Sequence, residues 1–191
     1  MLIPADIQKI KEKATLLFTK EQIDASLDKM AHAINEKLDD SNPVVLCVMV
    51  GGLIPAGNLL PRLTFPLELD YIHATRYLNE TCAGTPEVKM VAKPRIPLKD
   101  RNVLIIEDIL DEGLTLAATV DYCQQQGARS VHTAILLDKK GVARLSRGTD
   151  SADFTALSMD KGYVFGYGLD YHGYLRNVSG IYVVTPEKTS S

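Results

Sequence analysis

Cysteine, long apolar runs and excess positive charge are all scarce in this chain of 191 residues, and each scarcity excludes a class of protein. Cys47, Cys82 and Cys123 are odd in number and lack metal-ligand spacing, which argues against a disulfide scaffold or a zinc site. They read as free thiols in a reducing compartment. No apolar run approaches the roughly 20 residues of a membrane span, and residues 1–6 show no signal-peptide pattern. A cytoplasmic protein with no membrane partner is therefore expected. A net charge of −3 provides no basic footprint for nucleic acid. Internal repeats and linkers are absent too, so the expectation is one domain over residues 1–191, long enough to bury a real core.

What the chain does have is a strand followed by an acidic turn. Val103, Leu104, Ile105 and Ile106 form a short apolar run too branched for a helical turn. Glu107 and Asp108 follow, and a carboxylate at a buried strand end is costly unless something binds it. Asp111, Glu112, Gly113, Leu114 and Thr115 then lead into a helical pattern over residues 114–126. In open α/β sheets ligands bind beyond the carboxyl ends of strands, and helix N-termini there attract phosphate. A sugar-phosphate site with acidic groups for hydroxyls or a metal is the reading from these residues alone.

The flanking pattern supports it. Thr19 and Gln22 form a capping box, and Ile23, Leu27, Met30, Ala31, Ile34 and Leu38 recur at helical spacing, predicting a helix over 20–39. Residues 44–49 read as a buried strand ending at Gly51 and Gly52, residues 53–63 as a helix, 67–73 as a strand and 130–137 as another buried strand. Strand and helix alternation from 44 to 137 predicts an α/β fold, an open and mostly parallel twisted sheet with helices on both faces. Asn79, Gly84, Pro86, Pro94 and Pro97 interrupt residues 74–97, which read as a long functional loop or lid, with a short hairpin arm near 88–91. Short strand candidates at 154–157, 163–165 and 180–184 suggest a small β-rich hood over a core of about 19–137. The hood would draw on the N-terminal segment and on residues 138–185.

The acidic pair followed by Asp-x-Gly-x-Thr resembles the phosphoribosyl pyrophosphate (PRPP) motif of type I phosphoribosyltransferases. Gly51-Gly52, Lys139, Tyr163-Val164 and the run from Gly166 through Asp170 to Arg176 make the chain similar to hypoxanthine-guanine phosphoribosyltransferases. The resemblance implies a purine-salvage transferase that joins a 6-oxopurine to the ribose of PRPP and releases pyrophosphate with Mg²⁺. It implies ribose-facing or metal-holding roles for Glu107 and Asp108, and a 5′-phosphate cradle from the backbone of residues 111–115 with the Thr115 hydroxyl. Asp111 would handle the proton on purine N7, and Lys139 would donate to the 6-oxo group. Tyr163 would stack on the base while the Val164 backbone reads its edge. Asp170 would hold Mg²⁺, Arg176 would pair with pyrophosphate, and homodimers or homotetramers are usual. Each residue also has a plainer reading: a turn aspartate for Asp111 and Asp170, a surface lysine for Lys139 with Lys140 as competitor, a core aromatic for Tyr163. His73 and His172 read as ordinary satisfied histidines.

Three positions depart from the family pattern. Val50 stands where a basic residue is often found, leaving backbone N–H groups for pyrophosphate. Glu112 replaces a small hydroxyl residue; a carboxylate that close to phosphate would cost on the order of 1–4 kcal/mol, so its side chain is expected to point outward. Arg76-Tyr77 replaces a serine-tyrosine pair, and Arg76 could supply the charge that Val50 lacks. Two other readings stay open: a transferase for xanthine or a pyrimidine, and a PRPP-fold sensor that binds nucleotides or nucleic acid.

Overall fold

Apolar runs that alternate between two buried faces set the architecture of this chain. The computed structural model describes residues 4–78, 86–143 and 148–184; for residues 4, 76–78, 86 and 87 the description covers the backbone alone. Helix α1 (Pro4–Lys13), strand β1 (Thr15–Phe18) and helix α2 (Lys20–Leu38) come first. Strand β2 (Val44–Met49), helix α3 (Leu53–Leu59, continued as a 3₁₀ turn over Leu60–Arg62), β3 (Glu68–Leu78) and β4 (Pro86–Ala92) follow. Then come β5 (Asn102–Leu110), α4 (Leu114–Gln125), β6 (Ser130–Lys139), β7 (Phe154–Met159), β8 (Val164–Phe165) and β9 (Ile181–Val183).

The main sheet has the order β4-β3-β2-β5-β6-β7, parallel throughout except for the antiparallel edge strand β4. Because side chains alternate along a strand, the continuous apolar runs of β2 and β5 divide between two cores. Val45, Cys47, Leu104 and Ile106 pack with Ile23, Leu27 and Ile34 of α2 and with Ala56 and Leu59 of α3. Val44, Leu46, Val103 and Ile105 pack on the opposite face with Leu116 and Cys123 of α4. Helix α2 starts at the expected box: the Gln22 N–H donates to Thr19 Oγ1 at 3.3 Å, and the Thr19 N–H donates to Gln22 Oε1 at 2.9 Å. Among the described residues no helix is long and apolar enough to cross a membrane.

Five expectations about elements need correction. Strand β5 continues through Glu107 and Asp108 to Leu110, because its ladder to β6 persists to the Leu110–Asp138 pair after its partner β2 has ended. Lys139 is the last residue of β6 and does not follow it. Residues 154–157 join the main sheet as β7, parallel to β6, and take no part in a hood. The separate antiparallel sheet is β1-β9-β8, so its first strand is Thr15–Phe18, a four-residue stretch of the N-terminal segment for which no strand was expected. The expected lid is largely strand: β3 runs on to Leu78 and folds back as β4, with residues 79–85 outside the described residues.

Candidate active site

The order of strands locates the site. From β2 the chain moves through α3 to β3 on one side, then returns to place β5 on the other side of β2. That reversal opens a crevice at the carboxyl ends of β2 and β5, the usual ligand position in such sheets. Their pairing stops at Cys47–Ile106, whereas β2 continues beside β3 to Met49–His73. A cavity of about 300 Å³ fills the gap, lined by Val50 and Gly51, by Glu107, Asp108 and Asp111, by Gly113 and Thr115, and by Asp170 and Arg176. A second cavity of about 230 Å³ adjoins it, lined by Lys139, Tyr163, Val164 and Leu169. Asp108, Ile109, Asp111 and Asp170 belong to both walls.

The turn after β5 is shaped by Gly113, which caps α4 at φ 81°. A Cβ there would lie 2.4 Å from the Thr149 carbonyl oxygen, so left-handed geometry and a close neighbour both demand glycine. Glu112 is half-buried and is absent from the cavity wall, while Asp111, Gly113 and Thr115 line it. Leu114 is 6% exposed and serves the core. Backbone N–H groups at this helix start, with the Thr115 hydroxyl, can hold an anion.

Glu107 is buried at 5% exposure, while Asp108 is half-buried against Gly51, whose added Cβ would fall 1.9 Å from Asp108 Oδ2. Burial pushes the Asp108 carboxyl up to about 6; Arg176 and backbone N–H groups oppose the rise and Asp170 adds to it. Between the ordinary value of 3.8 and about 6, the folded protein therefore holds a proton that the unfolded chain has released. Stability falls as pH rises through that window, and the penalty, on the order of 3 kcal/mol, is fully present above it. Asp108→Asn is expected to be more stable than the wild type at pH 8 and to lose that advantage at pH 4. Urea unfolding at the two pH values checks this; an advantage that does not change with pH would refute it.

The loop from Gly166 to Arg176 closes the site. Arg176 Nη1 donates to the Gly168 carbonyl at 2.7 Å, and its Nη2 pairs with Asp170 Oδ1 at 2.8 Å. Asp170 Oδ2 accepts from the Gly173 N–H at 2.7 Å. Gly168, at φ 106°, backs onto the β2–α3 turn: a Cβ there would stand 2.3 Å from the Gly51 carbonyl oxygen and 2.9 Å from Pro55 Cδ. Gly168→Ala is expected to cost about 2–5 kcal/mol, the sum of left-handed strain and overpacking. Denaturant unfolding measures it, and a loss under 1 kcal/mol would show that the two loops are not in forced contact.

Lys139, with its side chain only 11% exposed, pairs through Nζ with Asp111 Oδ2 at 2.8 Å. Its rival Lys140 is 59% exposed and pairs with Asp138. Tyr163 is 49% exposed and meets Tyr171 edge-on at 5.3 Å, while the His172 ring lies nearly parallel to it at 6.1 Å. Val164 is buried in β8. Gly52 lies behind the wall, its Cα facing the Val48 and Ile106 carbonyls. Val50, joined to Met49 by a cis peptide, is 44% exposed. The side chains of Arg76 and Tyr77 lie outside the described residues. Among the described residues no group of three or more His, Cys, Asp or Glu side chains converges on one metal position. Glu107, Asp108 and Asp170 stand on the cavity walls without forming a closed cage. The cavity walls also include His73, read from the sequence as an ordinary histidine, and Ala74 and Thr75 of β3 and Ile109 of β5, which the sequence did not single out. Their signal is position beside the end of β2, where β3 and β5 run on past it, and that is usable only once the strand order is known.

Residues 17–172 match the phosphoribosyl transferase domain family. The chain is 31% identical over 182 residues to the hypoxanthine-guanine phosphoribosyltransferase of Bacillus subtilis, covering 95% of each. It is also 31% identical to the bifunctional protein TilS/HprT of Listeria innocua, of whose length it spans 26%. A crystal structure of a hypoxanthine phosphoribosyltransferase from Staphylococcus aureus superposes with a TM-score of 0.84 at 25% identity, covering 100% of both chains. A family match over that much of the chain, on a sheet with the same architecture, means that this protein belongs to the type I phosphoribosyltransferases.

Proposed function

We propose that the protein transfers the phosphoribosyl group of PRPP to hypoxanthine or guanine, forming IMP or GMP and pyrophosphate. One observation carries the reading: Asp111 stands on the wall shared by a phosphate-type crevice and an aromatic-edged pocket, 2.8 Å from the lysine of that pocket. PRPP takes the larger cavity, its 5′-phosphate on the N–H groups around Gly113 and Thr115. The base takes the smaller cavity, against Tyr163 and with Lys139 donating to its 6-oxo oxygen. The bond from base N9 to ribose C1 forms as the bond from C1 to pyrophosphate oxygen breaks. Asp111 accepts the N7 proton, so that the base does not carry positive charge into the product. Glu107 and Asp108 face the ribose, where acceptor-only carboxylates stabilise the positive charge developing on the ring.

The donor set suits Mg²⁺, which prefers one or two carboxylates plus substrate oxygens to a ready-made protein cage. Asp170 would hold it, with Glu107 and Asp108 bearing on it directly or through water, and it would neutralise charge on the departing pyrophosphate. Burial that raises the Asp108 carboxyl is relieved by a nearby cation, which favours the same assignment. Incubation with PRPP, Mg²⁺ and each of hypoxanthine, guanine, xanthine, adenine and uracil, followed by pyrophosphate release, tests the proposal. Turnover is expected with the first two. Silence with every base would overturn it in favour of a PRPP sensor.

A further inference from the structure

We infer that His73 is the side chain that holds the diphosphate end of the substrate from the β3 side, in the role that Val50 cannot fill. The inference rests on the PRPP reading above and adds a residue to it. Register places His73 there. In β2, Cys47 is level with Tyr71 on one side and with Ile106 on the other, and Met49 is level with His73. Residues level in parallel strands share a face, and so do residues two apart in one strand. His73, Met49 and Asp108 therefore share one face of three adjacent strands where β2 ends, and all three line the larger cavity.

The charge around that cavity creates the need. Among the described residues its walls carry Glu107, Asp108, Asp111 and Asp170, against one guanidinium, Arg176, which is committed to Asp170 and to the Gly168 carbonyl. Beside those carboxylates and the Mg²⁺ they would hold, a diphosphate gains from a side-chain donor beyond backbone N–H groups, and an imidazole supplies one. No hydrogen bond or ion pair engages the His73 imidazole among the described residues. Among the described residues the charged groups around it are few. The β2 end and the first turn of α3 bring no charge, and β5 brings Glu107 and Asp108. On β4 the exposed Lys89 pairs in register with Thr75. Asp70 lies on the other face of β3, its carboxylate accepting from the Arg95 and Ile96 N–H groups.

Steady-state KM for PRPP at pH 6 and saturating hypoxanthine and Mg²⁺ tests this in wild type, His73→Ala and His73→Lys. The wild-type KM is expected to be about tenfold below that of His73→Ala, the worth of one charged hydrogen bond. His73→Lys is expected to keep that advantage, with kcat changed less than about threefold. Equal KM in wild type and His73→Ala at pH 6, with normal wild-type turnover, would overturn this inference alone. Absence of wild-type turnover with every base would overturn the transferase reading instead. Calorimetric binding of Mg²⁺-pyrophosphate to the same three proteins at pH 6 then decides the role of His73 by the same tenfold criterion.

Discussion

Asp111→Asn is expected to lower kcat by about 100- to 10,000-fold, the range that a positioned general acid or base contributes. The asparagine keeps the shape of the side chain and its place on the wall between the two cavities, so loss of binding surface does not account for the effect. What disappears is the capacity to accept a proton. Asp111 also has a structural tie, its 2.8 Å pair with the largely buried Lys139, and breaking it leaves a lysine without its carboxylate. A purely structural aspartate would therefore show its loss as a lower melting temperature with kcat nearly intact. Single-turnover rates and thermal unfolding of the same preparation separate the two, and a kcat within threefold of wild type would remove Asp111 from the chemistry.

Lys139→Gln is expected to lower kcat/KM for hypoxanthine and guanine by about 10- to 100-fold, the worth of a hydrogen bond from a charged donor. Discrimination against adenine should narrow in parallel, because a site built around one exocyclic oxygen rejects a base that lacks it. The KM for PRPP should stay near its wild-type value, since Lys139 lines the smaller cavity and not the larger. That asymmetry is the test. A PRPP KM that rises as much as the base KM would mean that Lys139 holds the loop of Asp111 and does not read the purine. In the substrate-free protein the lysine is occupied by Asp111, so base binding exchanges one acceptor for another and leaves no buried charge uncompensated.

Much of this was legible before folding. The capping box at Thr19 and Gln22 and the six apolar residues of α2 specify a helix and its buried face through local hydrogen bonding and 3.6-residue periodicity. Strand β2 is apolar from end to end because both of its faces are covered, and that too is a local property. The acidic pair and the turn to Thr115 carried the site, since few other uses exist for two carboxylates and a glycine turn between a buried strand and a helix. Strand β1 was not legible: four residues carry little periodicity, and its partner β9 lies at the far end of the chain. The length of β5 was hidden as well, because Glu107 and Asp108 look like an ending, while the backbone ladder to β6 is indifferent to side chains that face a crevice.

By itself the sequence determined the local elements, the two-sided core and the chemical types gathered in the motif, because these follow from spacing and from the chemistry of single residues. Only the tertiary structure decided what depends on partners distant in the chain. It set the strand order that opens the crevice between β2 and β5, and the pairing of Lys139 with Asp111 across 28 positions. It also left Glu112 off the wall that its neighbours form and brought His73 onto it. A strand end becomes a binding wall when neighbouring strands diverge beside it, and that divergence is a property of the assembled sheet, absent from any one segment of the chain.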